Sequence, residues 1–318
     1  MLNHILAPMD GSSLAESVLP HLGAVARAFE ARVTLLRVLG QSGSAGQSQI
    51  PDPLEWHIKR AEAEAYLNGL TGRLQSHDLK ATSVLLEGQA AEQITDFAHE
   101  NDVGLLLVSS HGSSGLSSWN VSSIVQKVIL GVHTSIMIVR AYQPAVGDLA
   151  SLRYGRILVP TDGSQRAEAV LPFVSALAGY YDSKVLLVHV VKEPEMPRQT
   201  PPTAEDLELA RRLVERNREE AAKHLEQLQS RLPVNVETRL LVSENVTATL
   251  HKLVKQERLD LVALSAHGYS GQPRWPYGSL PLSFIAYGTT PLLILQDIPS
   301  NQLEPTEAEI AAKEHKGH

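Results

Sequence analysis

An internal repeat constrains this chain more than any other feature of its sequence. The segment Ile157–Ser164 repeats Ile5–Ser12, in which a short apolar run leads into proline, aspartate, glycine and serine. Over positions 4–38 and 156–190, 16 of 35 residues are identical at an offset of 152. A repeat of this length is far longer than a solenoid unit and indicates a duplicated domain. A chain of 318 residues is long enough for two such domains.

Short apolar runs alternate with amphipathic segments in both repeats. The runs begin near residues 5, 33, 82, 105 and 136 in the first half, and near 157, 184, 234, 261 and 292 in the second. Strands that alternate with helices predict a parallel sheet with helices on both faces. The sequence therefore predicts an α/β fold of two tandem doubly wound domains, residues 1–147 and 150–297, each with a five-stranded parallel sheet. The polar residues 298–318 lack a core pattern and predict a flexible C-terminal tail.

Apolar periodicity also predicts the buried faces of the longer helices. A helix over 54–75 is expected to turn Ala61, Ala65 and the stretch Leu67–Leu70 inward. A charged helix that ends near residue 230 is expected to bury Leu213, Ala221, Leu225 and Leu228. A further helix is predicted over 116–130.

A glycine-rich loop follows the fourth predicted strand of each half. The first loop reads Ser-Ser-His-Gly-Ser-Ser-Gly from Ser109, and the second reads Ser-Ala-His-Gly-Tyr-Ser-Gly from Ser265. Glycine lets the backbone approach a ligand closely and adopt positive φ at little cost. The helix predicted behind each loop offers free N–H groups and the positive end of its dipole. The pattern therefore predicts two phosphate-binding loops.

An aspartate, Asp10 or Asp162, ends the first predicted strand of each half. In doubly wound sheets a ligand binds beyond the carboxyl ends of the strands, where the strand order reverses. If the first and fourth strands are neighbours, each aspartate meets the glycine loop of its own half in one crevice. The alternative is an aspartate that only fixes a turn, because Asp-Gly is a common turn pair. The glycine loop in the same half favours ligand contact.

Composition argues against several other classes of protein. The net charge is −7 without a long basic run, so no nucleic-acid partner is expected. No apolar run approaches the ~20 residues of a membrane helix, so no membrane partner is expected. The sequence contains no cysteine, which excludes disulfides and cysteine nucleophiles. With an N-terminus that lacks a signal-peptide pattern, this composition predicts a cytoplasmic protein.

The repeated motifs resemble those of the universal stress protein family. They are Ile-Leu-x-Pro-x-Asp-Gly-Ser at the start of each half and Ser-x-His-Gly-x-x-Gly after the fourth strand. The resemblance covers residues 2–140 and 154–296, so the chain resembles a tandem member. It implies a strand order of 3-2-1-4-5 in each half. It also implies that the last strands pair across the halves as an internal pseudo-dimer, and it leaves a further homodimer open.

The resemblance implies a cofactor, namely ATP, with or without Mg²⁺, or another adenine nucleotide. The family's ATP-binding members use the first-strand aspartate, the backbone at the second strand and the glycine loop with its Gly-Ser pair. Carried over to this sequence, the implied contacts in the first half are Pro8, Asp10, Val38, Gly112, Gly115, Ser122 and Ser123. In the second half they are Pro160, Asp162, Val190, Gly268, Gly271, Gly278 and Ser279.

Each half departs from the family pattern within or next to its glycine loop, and the first half also has Ser135 where the second half keeps the usual proline, Pro291. Ser122 stands where the pattern has glycine, and its Cβ is expected to disfavour the same φ. In the second loop, Pro273 and Pro276 remove two N–H donors and flank Trp275. Because the implied phosphate contacts fall on the glycines and the Gly-Ser pair, the second half is expected to bind at least as well as the first.

The function implied is an adenine-nucleotide-binding regulatory protein of the stress response without robust catalysis. The Gly-x-x-x-x-Gly-Lys-Ser/Thr and Gly-x-Gly-x-x-Gly signatures are absent. Neither loop contains a lysine, and phosphoryl transfer normally places a cation on the transferred phosphate. No catalytic and no metal-ligating residues are predicted. Two alternatives stay open: a nucleotide-free interaction scaffold with vestigial crevices, and a slow ATPase.

Overall fold

The computed structural model describes residues 2–40, 53–113, 121–142, 149–196, 201–269 and 276–297. The predicted tail over 298–318 lies outside these residues. The first half contains β1 (His4–Pro8), a 3-10 turn (Ala15–Val18), α1 (Leu19–Phe29), β2 (Arg32–Leu39), α2 (Pro53–Gln75), β3 (Ala81–Glu87), α3 (Ala90–Glu100), β4 (Leu105–Ser109), α4 (Ser123–Gly131) and β5 (Ser135–Val139).

The second half repeats this order of elements. It contains β6 (Arg156–Thr161), α5 (Gln165–Glu168), α6 (Leu171–Tyr181), β7 (Lys184–Lys192), α7 (Ala204–Arg231), β8 (Val236–Ser243), α8 (Val246–Glu257), β9 (Leu261–Ser265), α9 (Ser279–Tyr287) and β10 (Leu292–Leu295). The predicted alternation of strands and helices is therefore confirmed through both halves.

The described strands form one continuous sheet of ten strands. Its order is β3-β2-β1-β4-β5-β10-β9-β6-β7-β8, so each half runs in the order 3-2-1-4-5 of its own strands. All pairs within a half are parallel, whereas β5 and β10 pair antiparallel where the halves meet. Met137 faces Leu293 at the centre of this seam. The two halves are thus joined through their last strands, as an internal pseudo-dimer.

Helices cover both faces of the sheet because the strand side chains alternate between two apolar cores. Ile5 and Ala7 belong to the core that α1, α2, α6 and α7 cover, whereas Leu6 belongs to the core under α3, α4, α8 and α9. Strands buried on both faces read as continuous apolar runs, and β4 and β9 have this pattern.

Three helix predictions require correction. Helix α2 buries Ala63, Leu67, Leu70 and Leu74, while Ala61 and Ala65 are exposed. Helix α7 buries Ala221, Leu225 and Leu228 but leaves Leu213 48% exposed. At 28 residues α7 is about 42 Å long, longer than the roughly 30 Å of the strand β7 beneath it. Helix α4 begins at Ser123 with Ser122 as its N-cap, so the predicted helix over 116–130 is not continuous through residues 121 and 122, while residues 116–120 lie outside the described part of the chain.

Candidate functional site

Asp10 and Asp162 contact the glycine loop of their own half. Because β1 pairs with β4 and β6 pairs with β9, the first and fourth strands of each half end side by side. Asp10 Oδ2 accepts a hydrogen bond from the Ser113 N–H at 2.5 Å, and Asp162 Oδ2 accepts one from the Tyr269 N–H at 2.7 Å. We call this contact the Asp–loop clasp. It brings each predicted aspartate to the predicted loop.

The second carboxylate oxygen of each aspartate holds the turn that follows the strand. Asp10 Oδ1 accepts from the Ser12 N–H at 2.9 Å, and Asp162 Oδ1 accepts from the Ser164 N–H at 3.0 Å. The glycine inside this turn has positive φ, +89° at Gly11 and +81° at Gly163, where a side chain would be strained. The alternative of a turn-fixing aspartate is therefore realised, because the carboxylate that contacts the glycine loop also holds this turn.

The described loop glycines serve close approach rather than unusual backbone angles. Neither Gly112 nor Gly268 has positive φ, but a Cβ on either would overlap the Oδ2 of the clasping aspartate. The group that approaches the backbone is thus a side chain of the same chain. Gly115 and Gly271 lie outside the described residues.

Ser122 and Gly278 have the same backbone conformation, which overturns the expected difference in φ. Their angles are φ −69°, ψ 161° and φ −71°, ψ 174°, both in the extended region open to any residue. Each N–H bonds back to the loop, to Ser110 O at 2.8 Å and to Ala266 O at 2.7 Å. Ser122 Oγ accepts from the Val125 N–H at 3.4 Å and caps α4.

The electrostatics of the clasp favour an ionised aspartate. Partial burial raises the pKa of Asp10, but hydrogen bonds from Ser12 and Ser113 outweigh it and hold the pKa below its usual value. For Asp162, partial burial likewise raises the pKa, but hydrogen bonds from Ser164 and Tyr269 outweigh it and hold the pKa below its usual value. A carboxylate repels phosphate, so these side chains suit hydroxyl or amino donors of a ligand. Phosphate is better placed at the N-termini of α4 and α9.

The two crevices differ in size. The crevice of the second half is a cavity of about 690 Å³, and the corresponding cavity in the first half measures about 140 Å³. The predicted residues that line the larger cavity are Pro160, Asp162, Val190, Gly268, Gly278 and Ser279. Those that line the smaller one are Pro8, Asp10, Val38, Gly112 and Ser122, while Ser123 is the first residue of α4.

Sequence reasoning missed several polar residues of the larger cavity. Lys192 ends β7, and Glu244, Asn245 and Thr247 lie between β8 and α8 or open that helix. The repeat offset places Gly40 opposite Lys192. The available signal was their position directly after the second and third strands of the half, at the edge of the sheet where ligands bind.

The described residues contain neither a metal-binding cluster nor a membrane-spanning helix. No group of three or more His, Cys, Asp or Glu side chains there is arranged to hold a metal ion. Across the same residues, no helix combines the length and the apolarity that a membrane span requires.

Comparison with known proteins identifies the family. The family model described as "Universal stress protein family" matches residues 1–140 and 153–296. The chain belongs to the universal stress protein family. Each half carries one match, so it is a tandem member whose halves have the doubly wound α/β fold of the family.

Relatives of this universal stress protein resemble one half at a time. Universal stress protein MJ0531 of Methanocaldococcus jannaschii is 24% identical over 140 residues, 43% of this chain and 81% of the relative. Universal stress protein YxiE of Bacillus subtilis is 26% identical over 149 residues, 44% of this chain and 100% of the relative.

Two solved structures resemble the tandem as a whole. A universal stress protein from Archaeoglobus fulgidus covers 94% of this chain with all of its own length, at a TM-score of 0.63 and 16% identity. The functionally unknown protein PA1789 from Pseudomonas aeruginosa covers 93% with 92% of its length, at a TM-score of 0.65 and 12% identity. At these identities the likeness shows the fold alone.

Proposed function

We propose that this universal stress protein binds an adenine nucleotide, ATP alone or with Mg²⁺, in the crevice of its second half. It acts as a regulatory protein of the stress response without robust catalysis. The observation that carries the proposal is the Asp162–loop clasp at a cavity of about 690 Å³ beside the N-terminus of α9. Pockets for small ligands measure about 300–1,000 Å³. The second crevice falls inside this range, and the first, at about 140 Å³, falls below it.

The lining of the second crevice divides into regions that suit the parts of a nucleotide. Val188, Val190 and Leu250 offer apolar surface for a base. The ionised Asp162 offers an acceptor for ribose hydroxyls. Ser279 opens α9, whose first N–H groups lack partners within the helix and suit phosphate oxygens. The choice of adenine rests on the family resemblance.

The charges in the second crevice support binding rather than turnover. Among its described lining residues, Lys192 is the only lysine or arginine, and its Nζ lies 2.6 Å from Glu195 Oε1. Phosphoryl-transfer sites hold cations on the transferred phosphate and a positioned group on the nucleophile. A slow ATPase is the alternative, and phosphate release that persists through purification and disappears in Asp162→Ala would establish it.

Calorimetry of the full chain tests the proposal. ATP, ADP, AMP and cyclic AMP are titrated into the parent protein, Asp162→Asn and the matched variant Asp10→Asn. We expect one dominant site that Asp162→Asn weakens by about tenfold, the loss of one charge-assisted hydrogen bond, while Asp10→Asn leaves it unchanged. Absence of binding up to millimolar ligand would overturn the proposal in favour of an interaction scaffold. A loss of affinity in Asp10→Asn alone would show that the nucleotide binds in the first half, so that cavity size is a poor guide to the binding half.

Oligomeric state and location complete the proposal. We propose a homodimer of the tandem chain in the cytoplasm; the dimer rests on the family resemblance, and the location rests on the composition of the sequence. Light scattering at several protein concentrations tests the dimer, and a monomer at all of them would reject it.

A further inference from the structure

A buried carboxylate outside the sequence motifs holds the second glycine loop. Asp297 follows the last strand, β10, and its side chain is 1% exposed. Its Oδ1 accepts hydrogen bonds from the His267 backbone N–H at 3.1 Å and from the ring Nδ1–H at 2.8 Å. One oxygen therefore fixes both the backbone and the ring of the residue that precedes Gly268. Asp297 lies one residue beyond the family match, which ends at 296.

The other oxygen of Asp297 connects the loop to the aspartate turn. Arg166 Nε lies 3.5 Å from Asp297 Oδ2, and the Arg166 side chain is 35% exposed. Arg166 belongs to α5, which starts directly after Ser164, the residue that donates to Asp162. Asp297 Oδ2 is buried and accepts no hydrogen bond from the described part of the chain, so the ionic contact with Arg166 is what offsets its charge, since an unpaired buried charge is strongly destabilising.

The residue before Asp297 secures the same segment at two further points. The Gln296 N–H donates to Ser135 Oγ of the first half at 3.1 Å, and its Nε2 donates to Pro276 O at 3.4 Å. Pro276 lies just before α9, at the far end of the glycine loop. Residues 296 and 297 therefore touch the start of the loop, its end, α5 and the seam between the halves.

The first half holds its corresponding histidine by other means. Ser110 Oγ lies 3.0 Å from His111 Nδ1 and accepts from the Ala141 N–H at 3.0 Å. At the repeat offset of 156, Ser110 corresponds to Ala266 and Ala141 to Asp297. The hydroxyl of the preceding residue, which contacts the histidine Nδ1 in the first half, is thus replaced in the second half by the Asp297 carboxylate, which contacts the same ring nitrogen from beyond the last strand.

We propose that Asp297 is a positioning residue for the ligand site of the second half. By fixing His267 it holds the loop where the Tyr269 N–H meets Asp162 and where Gly268 lines the cavity. This inference rests on the proposed function, since the ligand is the adenine nucleotide proposed above. The loop geometry itself is a property of the ligand-free protein, so the two are measured separately.

The first experiment needs no ligand. Hydrogen exchange of the Tyr269 amide reports the clasp directly, because its N–H donates to Asp162. We expect Asp297→Ala to accelerate this exchange at least tenfold, since two hydrogen bonds to His267 are lost. Exchange of the β9 amides, which reports global stability, should stay unchanged. Ser110→Ala, the matched change in the first half, should leave Tyr269 exchange unaltered. Unchanged Tyr269 exchange in Asp297→Ala would overturn the inference whether or not nucleotide binds.

The second experiment uses ATP affinity and a transplant between the halves. Asp297→Ala and the isosteric Asp297→Asn should weaken ATP binding by about tenfold and at least threefold respectively. The double variant Ala266→Ser/Asp297→Ala installs the arrangement of the first half and should restore affinity to within about threefold of the parent. Failure of the transplant to restore affinity would reject a positioning role. A loss of affinity in Asp297→Asn without faster exchange of the Tyr269 amide would show that the charge, rather than loop position, matters, and would also reject it. If Asp297→Ala does not fold, Asp297→Asn and the transplant supply both readouts.

Discussion

Substitution of Gly268 by alanine tests the clasp with a single methyl group. A Cβ at this position would overlap Asp162 Oδ2, while φ at Gly268 is not in the positive range, so the effect is steric rather than conformational. The carboxylate must turn away and lose the Tyr269 N–H, which it accepts at 2.7 Å. Its bond from the Ser164 N–H at 3.0 Å lies on the other oxygen and can persist.

The size of the effect follows from the loss of one charge-assisted hydrogen bond. Such bonds contribute about 1.5–3 kcal/mol, and Asp162 is exposed, so water recovers part of this value. We expect Gly268→Ala to lower the free energy of unfolding by about 1 kcal/mol. Displacement of the Asp162 carboxylate from its binding position should also weaken ATP affinity by about five- to tenfold.

Urea unfolding and calorimetry on a matched pair of variants measure this effect. At Gly278 a Cβ would meet its nearest neighbour, Ala266 O, at 3.4 Å, an ordinary contact, so Gly278→Ala is the control and should be nearly neutral. Gly278→Ser should behave alike, because Ser122 already occupies this conformation in the first half. Equal losses in Gly268→Ala and Gly278→Ala, or none in either, would refute the steric argument.

Three further predictions concern stability. Burial of the His21 ring, whose Nδ1 lies 2.8 Å from Tyr154 Oη, lowers its pKa to about 4, so the unfolded chain takes up the proton first. The stability that the neutral His21 contributes is complete above about pH 6.5 and is lost as the pH falls toward 4, by at most about 3 kcal/mol. In urea unfolding, His21→Gln should lack this decrease of the unfolding free energy with falling pH. Identical pH profiles for the parent and the variant would contradict the prediction. Leu293→Ala at the seam, where Leu293 is 0% exposed, should cost about 2–5 kcal/mol in urea unfolding, and a loss below 1 kcal/mol would show that the seam is not tightly packed. Thr203→Ala removes the capping box at the start of α7 and should cost about 1 kcal/mol, with a smaller loss in Thr203→Ser as the check.

Strand positions could be predicted well because each strand is an apolar run between turn residues, and the repeat offered every run twice. Helix faces were predicted less well. Ala61 and Ala65 match an apolar stripe as well as Ala63 does, and only packing against the sheet decides which alanine is buried. Leu213 fits the helical period of α7, but the helix buries only Ala221, Leu225 and Leu228 in its C-terminal half, and Leu213 in its N-terminal half is exposed. Periodicity predicts which face of a helix is apolar, but it does not predict how much of the helix packs against the sheet.

The candidate site shows a similar division. The encounter of Asp162 with its loop was predictable, because strand order brings the first and fourth strands together. The conformation of Ser122 was not, since only coordinates reveal that the family glycine has an extended backbone here. Asp297 carried no local signal, because its partner His267 lies 30 residues away in sequence. Contacts of this kind depend on where a strand ends in space.

The antiparallel pairing of β5 with β10 has a consequence for how the sequences of the two halves can diverge. Strands of the first half point one way and strands of the second half point the other, so their carboxyl ends lie at opposite edges of the sheet. The two crevices therefore open in opposite directions. The described linings of the two crevices share no residue, so a substitution in one lining leaves the other unchanged. After duplication, the two crevices can therefore accumulate different substitutions independently. Ser110 and Ala141 in the first half, against Ala266 and Asp297 in the second, are one such difference.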